Sequence, residues 1–406
     1  MNLLLKNIKQ LIGITENSDV IKRGKAQGEV NTLDNAYLLI RNNIIDSFGP
    51  MHDCPNVSMD THDCSGRLVL PMYVDSHTHL VFAERRAAEM NMRLHGKSYQ
   101  EIAEAGGGIL NSAAKLHAMS EQQLYDAAHL RLENAIKQGT GAIEIKSGYG
   151  LNIEDEMKML RVIRVLKSLS PIPMKATFLG AHALPHEYKN NKAAYMYLVC
   201  NEMLPRIAGE GLADYIDIFC ETGYFDLDDL KQVIESGDKH GLKAKVHVNQ
   251  FSILGGIKKA IELNALSVDH LEELNPEDIE VLKGSNTIPV ALPSCSYFLS
   301  IPYTPARQLI DSGLPLALAS DFNPGSTPSG NMNFVVSTAC IKMKLTAEEA
   351  INAATINGAY SMGISEKAGS ITKGKVANLI ITKDINSINE IPYSFGSGKI
   401  SKIILA

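Results

Sequence analysis

The sequence predicts an α/β protein, a (β/α)8 TIM-like barrel with a small β-sandwich domain built from both chain termini. Three observations support this prediction. Short apolar strands alternate with longer helical patterns in the middle of the chain, the alternation repeats eight times, and both ends read as all-β. The 406 residues leave room for two or three domains at ~150 residues each.

The predicted strands of the barrel are short, nearly continuous apolar runs, which are typical of parallel strands buried on both faces. They span residues 67–76, 142–146, 174–180, 215–219, 243–248, 266–269, 288–292 and 314–320. An open, doubly wound sheet is the alternative, but it would usually place fewer strands in one domain. We therefore favour the closed barrel.

The helices between these strands begin and end at recognisable residues. Ser120 and Gln123 have the spacing of a capping box, apolar residues then recur every four positions, and Gly139 follows the last turn. Residues 155–169 and 226–240 show a similar pattern. Each predicted helix lies between two predicted strands, as a barrel requires.

The two ends of the chain share a different pattern, in which short apolar runs alternate with turn residues. Near the amino end, two apolar runs flank Asn42 and Asn43, which predicts a hairpin, and the last ~40 residues contain short β-branched runs separated by Gly-Lys turns. Neither end alone could form a stable sandwich, so we expect them to pair. The predicted domains are residues 1–66 together with 360–406, a β-sandwich, and residues 67–359, the barrel.

Composition excludes several classes of protein. The net charge of −6 argues against nucleic-acid binding as the main function. No apolar run approaches the ~18 residues needed to cross a bilayer, and Lys6 and Lys9 break the apolar amino end. The six cysteines form no C-x-x-C pair. We expect a cytoplasmic protein with no nucleic-acid or membrane partner, and a homodimer as the commonest oligomer.

Histidines cluster where a parallel barrel would place its active site. Catalytic side chains of such barrels stand at the carboxyl ends of the strands. Six candidates stand there: His77, His79, His182, His247, His270 and Asp321. One His-x-His pair is a weak signal, because alternate strand residues share a face anyway. The joint placement after strands one, five, six and eight predicts a metal site, and imidazole plus carboxylate suits zinc or iron with an open position for water.

Several motifs then identify a family. The segments VDSHTHLVFAERR, HALPHE, KVHVNQF, SVDHLEE and ASDFNPGSTP together resemble the imidazolonepropionase family of the amidohydrolase superfamily, from about residue 60 to residue 385. The His-Thr-His pair alone is common to the superfamily, whereas D-F-N-P-G-S and the G-Y-G loop narrow the resemblance. It implies hydrolytic opening of the ring of 4-imidazolone-5-propanoate to N-formimino-L-glutamate, in histidine degradation.

The resemblance also implies roles for individual residues. One divalent or trivalent metal ion per subunit, zinc or iron, is expected at His77, His79, His247 and Asp321. Substrate contacts are expected from Arg86, Tyr149, His182, Gln250, Asn323, Gly325 and Ser326. On chemical grounds, we also expect catalytic roles for Asp321, His270 and His182.

The chemistry of these residue types agrees with the implied roles. The substrate carries a carboxylate side chain, and an arginine suits a planar clamp on its two oxygens. Asp321 is our candidate to move a proton from water to the leaving nitrogen, and His270 would orient the water or stabilise the developing oxyanion. His182 would polarise the ring carbonyl or bind the carboxylate. Gln250 cannot act as a base, so its amide must position the substrate.

The chain departs from the family pattern at three places. Glu84-Arg85-Arg86 replaces a more usual Gly-Asp-Arg, so Arg85 competes with Arg86 as the clamp. Ser326 is often Thr, and Gln250 is Glu in some relatives, so a mechanism that needs a carboxylate there fails for this chain.

Other interpretations stay open at this point. A heterocycle deaminase of the same superfamily would share the metal ligands but needs a Glu near Gln250. A catalytically silent barrel that serves as a binding subunit would usually have lost ligands. Two tripeptides, His52-Asp53-Cys54 and His62-Asp63-Cys64, invite a second metal site, but both precede the barrel. Lys146 invites comparison with a carboxylated lysine of two-metal relatives, and we predict an ordinary lysine.

Overall fold

The computed structural model describes residues 1–16, 20–395 and 397–406. Its strands form two sheets, one of seven strands and one of eight. The seven-stranded sheet is built from both ends of the chain, and the eight-stranded sheet from the middle. The predicted fold class is confirmed: a nearly closed parallel barrel and a separate sheet made by the termini.

The terminal sheet combines five early strands with two late ones. The strands are β1 (Leu3–Ile12), β2 (Thr32–Arg41), β3 (Ile44–Pro50), β4 (Thr61–Asp63), β5 (Arg67–Pro71), β14 (Leu379–Asp384) and β15 (Ile400–Ile404), in the order β15-β14-β5-β1-β2-β3 with β4 beside β1. Most neighbours are antiparallel, whereas β1 pairs with β4 and β5 in parallel. An isolated bridge from Ile44 to Val376 brings the two ends of the sheet together around a buried aliphatic core.

The barrel strands pair in chain order and are all parallel. They are β6 (Tyr73–Asp75), β7 (Thr140–Lys146), β8 (Met174–Ala181), β9 (Tyr215–Cys220), β10 (Lys243–Val248), β11 (Ser267–His270), β12 (Ile288–Ala291) and β13 (Ala317–Leu318). All are buried, apart from the first residue of β10 and part of β8. Helices cover the outside of the barrel and meet apolar strand residues there, whereas its inside holds buried charged residues such as Glu144, Asp217 and Lys245.

The helices follow the predicted alternation. They are α1 (Ala87–Leu94), α2 (Tyr99–Glu104), α3 (Gly108–His117), α4 (Glu121–Lys137), α5 (Ile153–Leu169), α6 (Lys192–Leu198), α7 (Leu204–Gly209), α8 (Leu227–Asp238), α9 (Gly256–Glu262), α10 (Pro276–Lys283), α11 (Pro293–Leu299), α12 (Ala306–Asp311), α13 (Met332–Met343), α14 (Ala347–Ala354), α15 (Ile356–Ser361) and α16 (Glu390–Tyr393). No helix in the described part of the chain has the length and apolar character needed to cross a membrane.

Local signals in the sequence are confirmed at several boundaries. The Ser120 hydroxyl accepts from the Gln123 amide at 3.2 Å, and the Gln123 side chain accepts from the Ser120 amide at 3.0 Å, so the capping box of α4 is complete. Asp226 caps α8. Asn42 and Asn43 have φ of 51° and 71°, the left-handed pair that a type I′ hairpin turn requires.

The first predicted barrel strand is wrong in one respect. Residues 67–76 are divided between the two sheets, because β5 pairs with β1 and β14 whereas β6 pairs with β7. Residues 68–74 are an unbroken run without charge, and both sheets have apolar cores, so periodicity could not show that the chain passes from one sheet to the other. The division into domains stays a proposal, and the pairing of β5 with β14 favours a barrel that begins after Pro71. With that shift, we propose residues 1–71 and 360–406 as the second domain.

The last barrel strand is shorter than predicted. Residues 314–320 form a strand only at Ala317–Leu318, because the residues before Ala317 bond outside the barrel, whereas the Ala319 amide still donates to the Ala291 carbonyl of β12 at 3.1 Å. The Leu314 carbonyl accepts from the Gly24 amide at 3.0 Å, and the Leu316 amide donates to the Gln27 side chain at 2.9 Å. A turn from the amino-terminal segment therefore takes the hydrogen bonds that a longer strand would need.

The capping box of α4 allows a direct test of helix stabilisation. Replacing Ser120→Ala removes the acceptor for the Gln123 amide and should lower the free energy of unfolding by about 1 kcal/mol, the usual loss for an N-cap serine. Urea unfolding followed by circular dichroism measures the change. Ser168→Ala is the control, because Ser168 is exposed inside α5 and its hydroxyl only bonds back to the Val165 carbonyl. Equal unfolding midpoints for the two variants would contradict the role of the cap.

Candidate active site

The barrel closes at the point where its histidines stand. Thr78, after β6, forms an isolated parallel bridge with Phe322, after β13. The Asp321 amide donates to the His77 carbonyl at 3.0 Å, and the His79 amide donates to the Phe322 carbonyl at 2.8 Å. Backbone hydrogen bonds between the first and last strands therefore fix the positions of His77, His79 and Asp321 relative to one another.

Three buried imidazoles meet in this closure. His77, His79 and His247 each offer a ligand atom, and these atoms all lie within 4.8 Å of one another. The Nε2 atoms of His77 and His79 lie 3.7 Å and 3.6 Å from Asp321 Oδ1. The four predicted metal ligands are thus brought together by the fold, although they come from three strands.

The electrostatics of the three imidazoles suit metal coordination. Burial holds the pKa of His77, His79 and His247 well below 6.5, and neighbouring cations and imidazoles lower it further. Neutral imidazole is the form that coordinates a metal. His77 Nε2 is buried and has no hydrogen-bond partner among the residues that the structure describes. An ion placed between the imidazoles would satisfy that atom, so the residues present fit a metal ion.

Two carboxylates orient the imidazoles from below. Asp269 Oδ2 lies 2.6 Å from His77 Nδ1, and Asp217 Oδ2 lies 2.9 Å from His247 Nδ1. The hydrogen bond to Asp269 holds the proton on His77 Nδ1 and leaves the Nε2 lone pair free for a ligand, whereas Asp217 contacts His247 Nδ1 outside hydrogen-bond geometry and acts there through its charge. The sequence analysis assigned no role to either aspartate. The signal that could have found them is a charged residue inside a buried strand, YIDIFC for β9 and SVDH for β11.

A buried ion-pair cluster lies beneath these carboxylates. Lys146 Nζ contacts Asp217 at 2.8 Å, Glu144 at 2.6 Å and Asp269 at 3.8 Å. Lys245 Nζ pairs with Glu144 and donates to the Ser76 carbonyl at 2.7 Å. Burial lowers the pKa of Lys146, but the surrounding carboxylates outweigh burial and raise it above its usual value. Lys146 is therefore a charged ammonium that neutralises carboxylates.

A pocket opens above the four predicted ligands. It is lined by His79, Arg86, Ile109, Tyr149, His182, Phe219, His247, Gln250, His270, Asp321, Asn323 and Ser326. The predicted site residues thus line the pocket, except His77, which groups with His79 and His247, and Gly325, which lies against Arg86. Ile109 and Phe219 are apolar members that the sequence analysis did not assign.

Arg86 and Arg85 occupy different environments. Arg86 is buried in the pocket, its amide donates to the Pro324 carbonyl at 2.9 Å, and its Nε lies 3.6 Å from Glu89. Arg85 is exposed and lies in a separate surface depression. A Cβ atom at Gly325 would lie 1.6 Å from Arg86 Nη2, so any other residue there would displace the guanidinium. Glycine at 325 is a requirement of this packing.

The loop after β13 is shaped by the side chain of Asn323. Its Oδ1 accepts from the amides of Gly325 and Ser326 at 2.8 Å and 2.7 Å, and its Nδ2 donates to Ser326 Oγ at 2.6 Å. Ser326 in turn donates to Asp321 Oδ2 at 3.3 Å. Burial raises the pKa of Asp321 to about 6. Asn323 therefore holds the loop, and its amide has several partners within it.

The remaining pocket residues have distinct surroundings. His182 Nδ1 contacts the Gly148 carbonyl at 2.8 Å, and burial lowers the pKa of His182 to about 4. The buried Tyr149 ring lies 5.3 Å from that of His182. Burial lowers the pKa of His270, but Glu272 and other carboxylates outweigh it and raise the pKa. The Gln250 amide donates to Cys295 Sγ at 3.4 Å.

The repeated tripeptides near the amino end do not form a cluster of this kind. His52 and Asp53 are exposed, with His52 Nε2 3.6 Å from its own neighbour's carboxylate. Within residues 1–16, 20–395 and 397–406, two groups of three metal-ligating side chains occur, and neither includes a tripeptide residue.

Comparisons with known sequences agree along the full chain. A sequence model of the amidohydrolase family matches residues 68–406. A curated imidazolonepropionase from Flavobacterium johnsoniae is 58% identical over 403 residues, which cover 99% of this chain and 98% of that protein. Another from Christiangramia forsetii is 57% identical over 406 residues, with 100% and 99% covered. Similarity at this level extends beyond the barrel into both termini.

Solved structures show the same fold at low sequence identity. An adenosine deaminase from Xanthomonas campestris with bound zinc has a TM-score of 0.70 and 14% identity, over 100% of this chain and 91% of that one. An atrazine chlorohydrolase from Arthrobacter aurescens complexed with zinc has a TM-score of 0.73 and 14% identity, over 99% and 94%. These similarities support the architecture.

The carboxylate beneath His247 can be tested by substitution. Asp217→Asn keeps the shape but removes the charge that orients the imidazole, so we expect metal affinity to fall by ~10–100-fold. Competition against a chromophoric chelator measures this affinity. Asp214→Asn is the matched control. Asp214 directly precedes β9, at the amino end of the strand, and pairs with Lys167 and Lys175. Unchanged affinity in Asp217→Asn would show that the orientation is supplied elsewhere.

Proposed function

The chain belongs to the amidohydrolase family, and to the imidazolonepropionases within it, and from that premise we propose how its pocket works. The reaction is hydrolysis of the ring of 4-imidazolone-5-propanoate to N-formimino-L-glutamate, in histidine degradation. Water adds a hydroxyl to the ring carbonyl carbon, the bond from that carbon to nitrogen breaks, and the nitrogen takes a proton. The observation that carries the proposal is one pocket that joins metal-ligating imidazoles to a buried arginine.

We propose that His77, His79, His247 and Asp321 hold one metal ion per subunit, zinc or iron. These metals accept the same imidazole and carboxylate donors. Bound there, the ion would supply Lewis acidity, which lets water attack at neutral pH. The protein's contribution is to keep the imidazoles neutral through burial and neighbouring cations, and to direct the Nε2 atoms of His247 and His77 at one point through Asp217 and Asp269.

Asp321 is the proposed proton carrier. Its Oδ1 faces the imidazoles, whereas its Oδ2 lies beside the Ser326 hydroxyl at the pocket wall. The two oxygens allow the residue to serve as ligand with one and to exchange a proton with the other. It would accept the proton of the attacking water and return it to the leaving ring nitrogen.

His270 and His182 flank the reacting carbonyl in this proposal. His270 faces His77 and His247 at ring distances of 5.7 Å and 5.4 Å, which suits orientation of the water or stabilisation of the developing oxyanion. His182 would accept a hydrogen bond from a substrate N–H through Nε2, since its neutral ring donates the Nδ1 proton to the Gly148 carbonyl. Gln250 would position the ring by hydrogen bonds, because an amide side chain cannot accept a proton.

Arg86 is the proposed partner of the propanoate carboxylate. A guanidinium forms two parallel hydrogen bonds to a carboxylate, and Arg86 is the arginine that lines the pocket. Tyr149, Asn323, Gly325 and Ser326 complete the proposed substrate contacts, Gly325 by leaving room for the guanidinium.

The two other functions are not favoured. A deaminase would need a carboxylate where Gln250 stands, and a silent barrel would be expected to lack ligands, whereas all four are together here. The full-length relatives at 57–58% identity carry the imidazolonepropionase name. A homodimer and a cytoplasmic location stay predictions.

Activity is tested directly with freshly generated substrate. Metal-loaded protein should consume the ultraviolet absorbance of 4-imidazolone-5-propanoate and should release no ammonia from guanine or cytosine. Removal of the metal by a chelator should abolish turnover, and zinc or iron should restore it, because no side chain in the proposed mechanism replaces the ion. Folded, metal-loaded protein that leaves the absorbance unchanged would overturn the assignment.

The two adjacent arginines provide a matched pair of variants. Arg86→Met removes a charged hydrogen-bond donor worth about 1.5–3 kcal/mol, so kcat/KM should fall by ~10–150-fold, mainly through KM. Arg85→Met should leave kcat/KM nearly unchanged, because Arg85 is exposed outside the pocket. Steady-state kinetics measures both. A larger loss in Arg85→Met would reverse the assignment of the clamp.

A further inference from the structure

A second group of metal-ligating side chains stands beside the proposed catalytic site. His270, Glu272 and Cys295 each offer a ligand atom, and the three atoms lie within 4.8 Å of one another. All three side chains are buried. The group includes none of the four proposed ligands of the catalytic metal.

An unusual backbone brings these residues together. His270 and Leu271 have φ of 89° and 67°, in the left-handed region that bulky residues rarely adopt. The chain therefore turns sharply at the end of β11, and His270 Nδ1 lies 3.4 Å from Glu272 Oε1, two residues further on. The third member, Cys295, comes from α11, so the group does not arise from one local turn.

Glu272 is incompletely satisfied within this group. Its Oε1 contacts His270 and accepts from the Ser296 hydroxyl at 3.2 Å. Its Oε2 is buried and has no hydrogen-bond partner in the described ranges of the chain. A buried carboxylate oxygen without a partner carries a desolvation cost, which a bound cation would remove. This observation points to a ligand independently of the spacing of the group.

We propose that His270, Glu272 and Cys295 form a second site for a soft or borderline divalent cation, zinc or cadmium. Imidazole, carboxylate and thiolate are all zinc ligands, and three protein donors leave a fourth position for water. The thiolate makes this group softer than the three imidazoles and one carboxylate of the first site. Binding displaces the thiol proton of Cys295 and the Nδ1 proton of His270 to solvent.

Occupation of the second site has a consequence for catalysis, and this step rests on the proposed function. His270 is shared between the two sites, because its ring also faces His77 and His247. A cation on His270 Nδ1 fixes the ring and replaces its Nδ1 proton, so His270 can no longer adjust its position to orient the attacking water. The site would therefore act as an inhibitory site, which fills when zinc exceeds one equivalent.

Cadmium titration of the full chain tests the site through its sulfur ligand. We expect two equivalents to bind, the second with the ultraviolet charge-transfer band of a cadmium–thiolate bond, because the first site contains no sulfur. Cys295→Ser should lose both the second equivalent and the band. Glu272→Gln should lose the second equivalent, which keeps the test valid if one variant folds poorly. Cys340→Ser, at the half-buried thiol of α13, should retain both.

Zinc inhibition supplies the functional readout. The ratio of the rate at two zinc equivalents to the rate at one, taken within each protein, should fall well below unity in the wild type and return to unity in Cys295→Ser. A single bound equivalent in the wild type, or a band that persists in Cys295→Ser, would overturn the second site. Two bound equivalents without turnover of imidazolone propanoate would instead overturn the proposed function alone.

Discussion

The ammonium of Lys146 is the charge on which the arrangement of the candidate active site depends. It contacts Asp217 and Asp269, and these carboxylates in turn contact His247 and His77. Two candidate ligands from opposite sides of the barrel are therefore oriented through one cation. Loss of one partner from such a buried group leaves uncompensated charge, at a cost of about 3–5 kcal/mol. Packing alone would fix the positions of the His77 and His247 rings, but it would not determine which ring nitrogen carries the proton.

Much of the architecture could be predicted because its signals are local. The capping box at Ser120 and the Asn42–Asn43 turn depend on residues within a few positions of each other, and the eight apolar strands with their helices limit the topology to few solutions. No local signal in the sequence marks the point after Pro71 where the chain passes from the terminal sheet to the barrel. An apolar run satisfies either core equally, and only tertiary pairing decides.

The candidate site shows the same difference between features that local sequence signals predict and features that depend on tertiary contacts. Histidines at strand ends could be found because barrel topology brings those ends together. The role of Asp217 could not, since it arises from a contact with His247, which lies on the next strand, and with Lys146, two strands away. The sequence alone also gives no reason to choose between the adjacent residues Arg85 and Arg86. The difference between Arg85 and Arg86 comes from a backbone hydrogen bond to Pro324 and from the space left by Gly325.

The closure between His77 and Asp321 links metal occupancy to the integrity of the whole barrel. An ion held by residues from its first and last strands would act as a cross-link over nearly the entire barrel sequence, and it would exist only while the strands are joined. Any ligand that binds the folded state alone stabilises it by mass action, with logarithmic dependence on free ligand. A shortage of the metal would therefore lower the stability of the fold itself, in addition to the activity of each molecule.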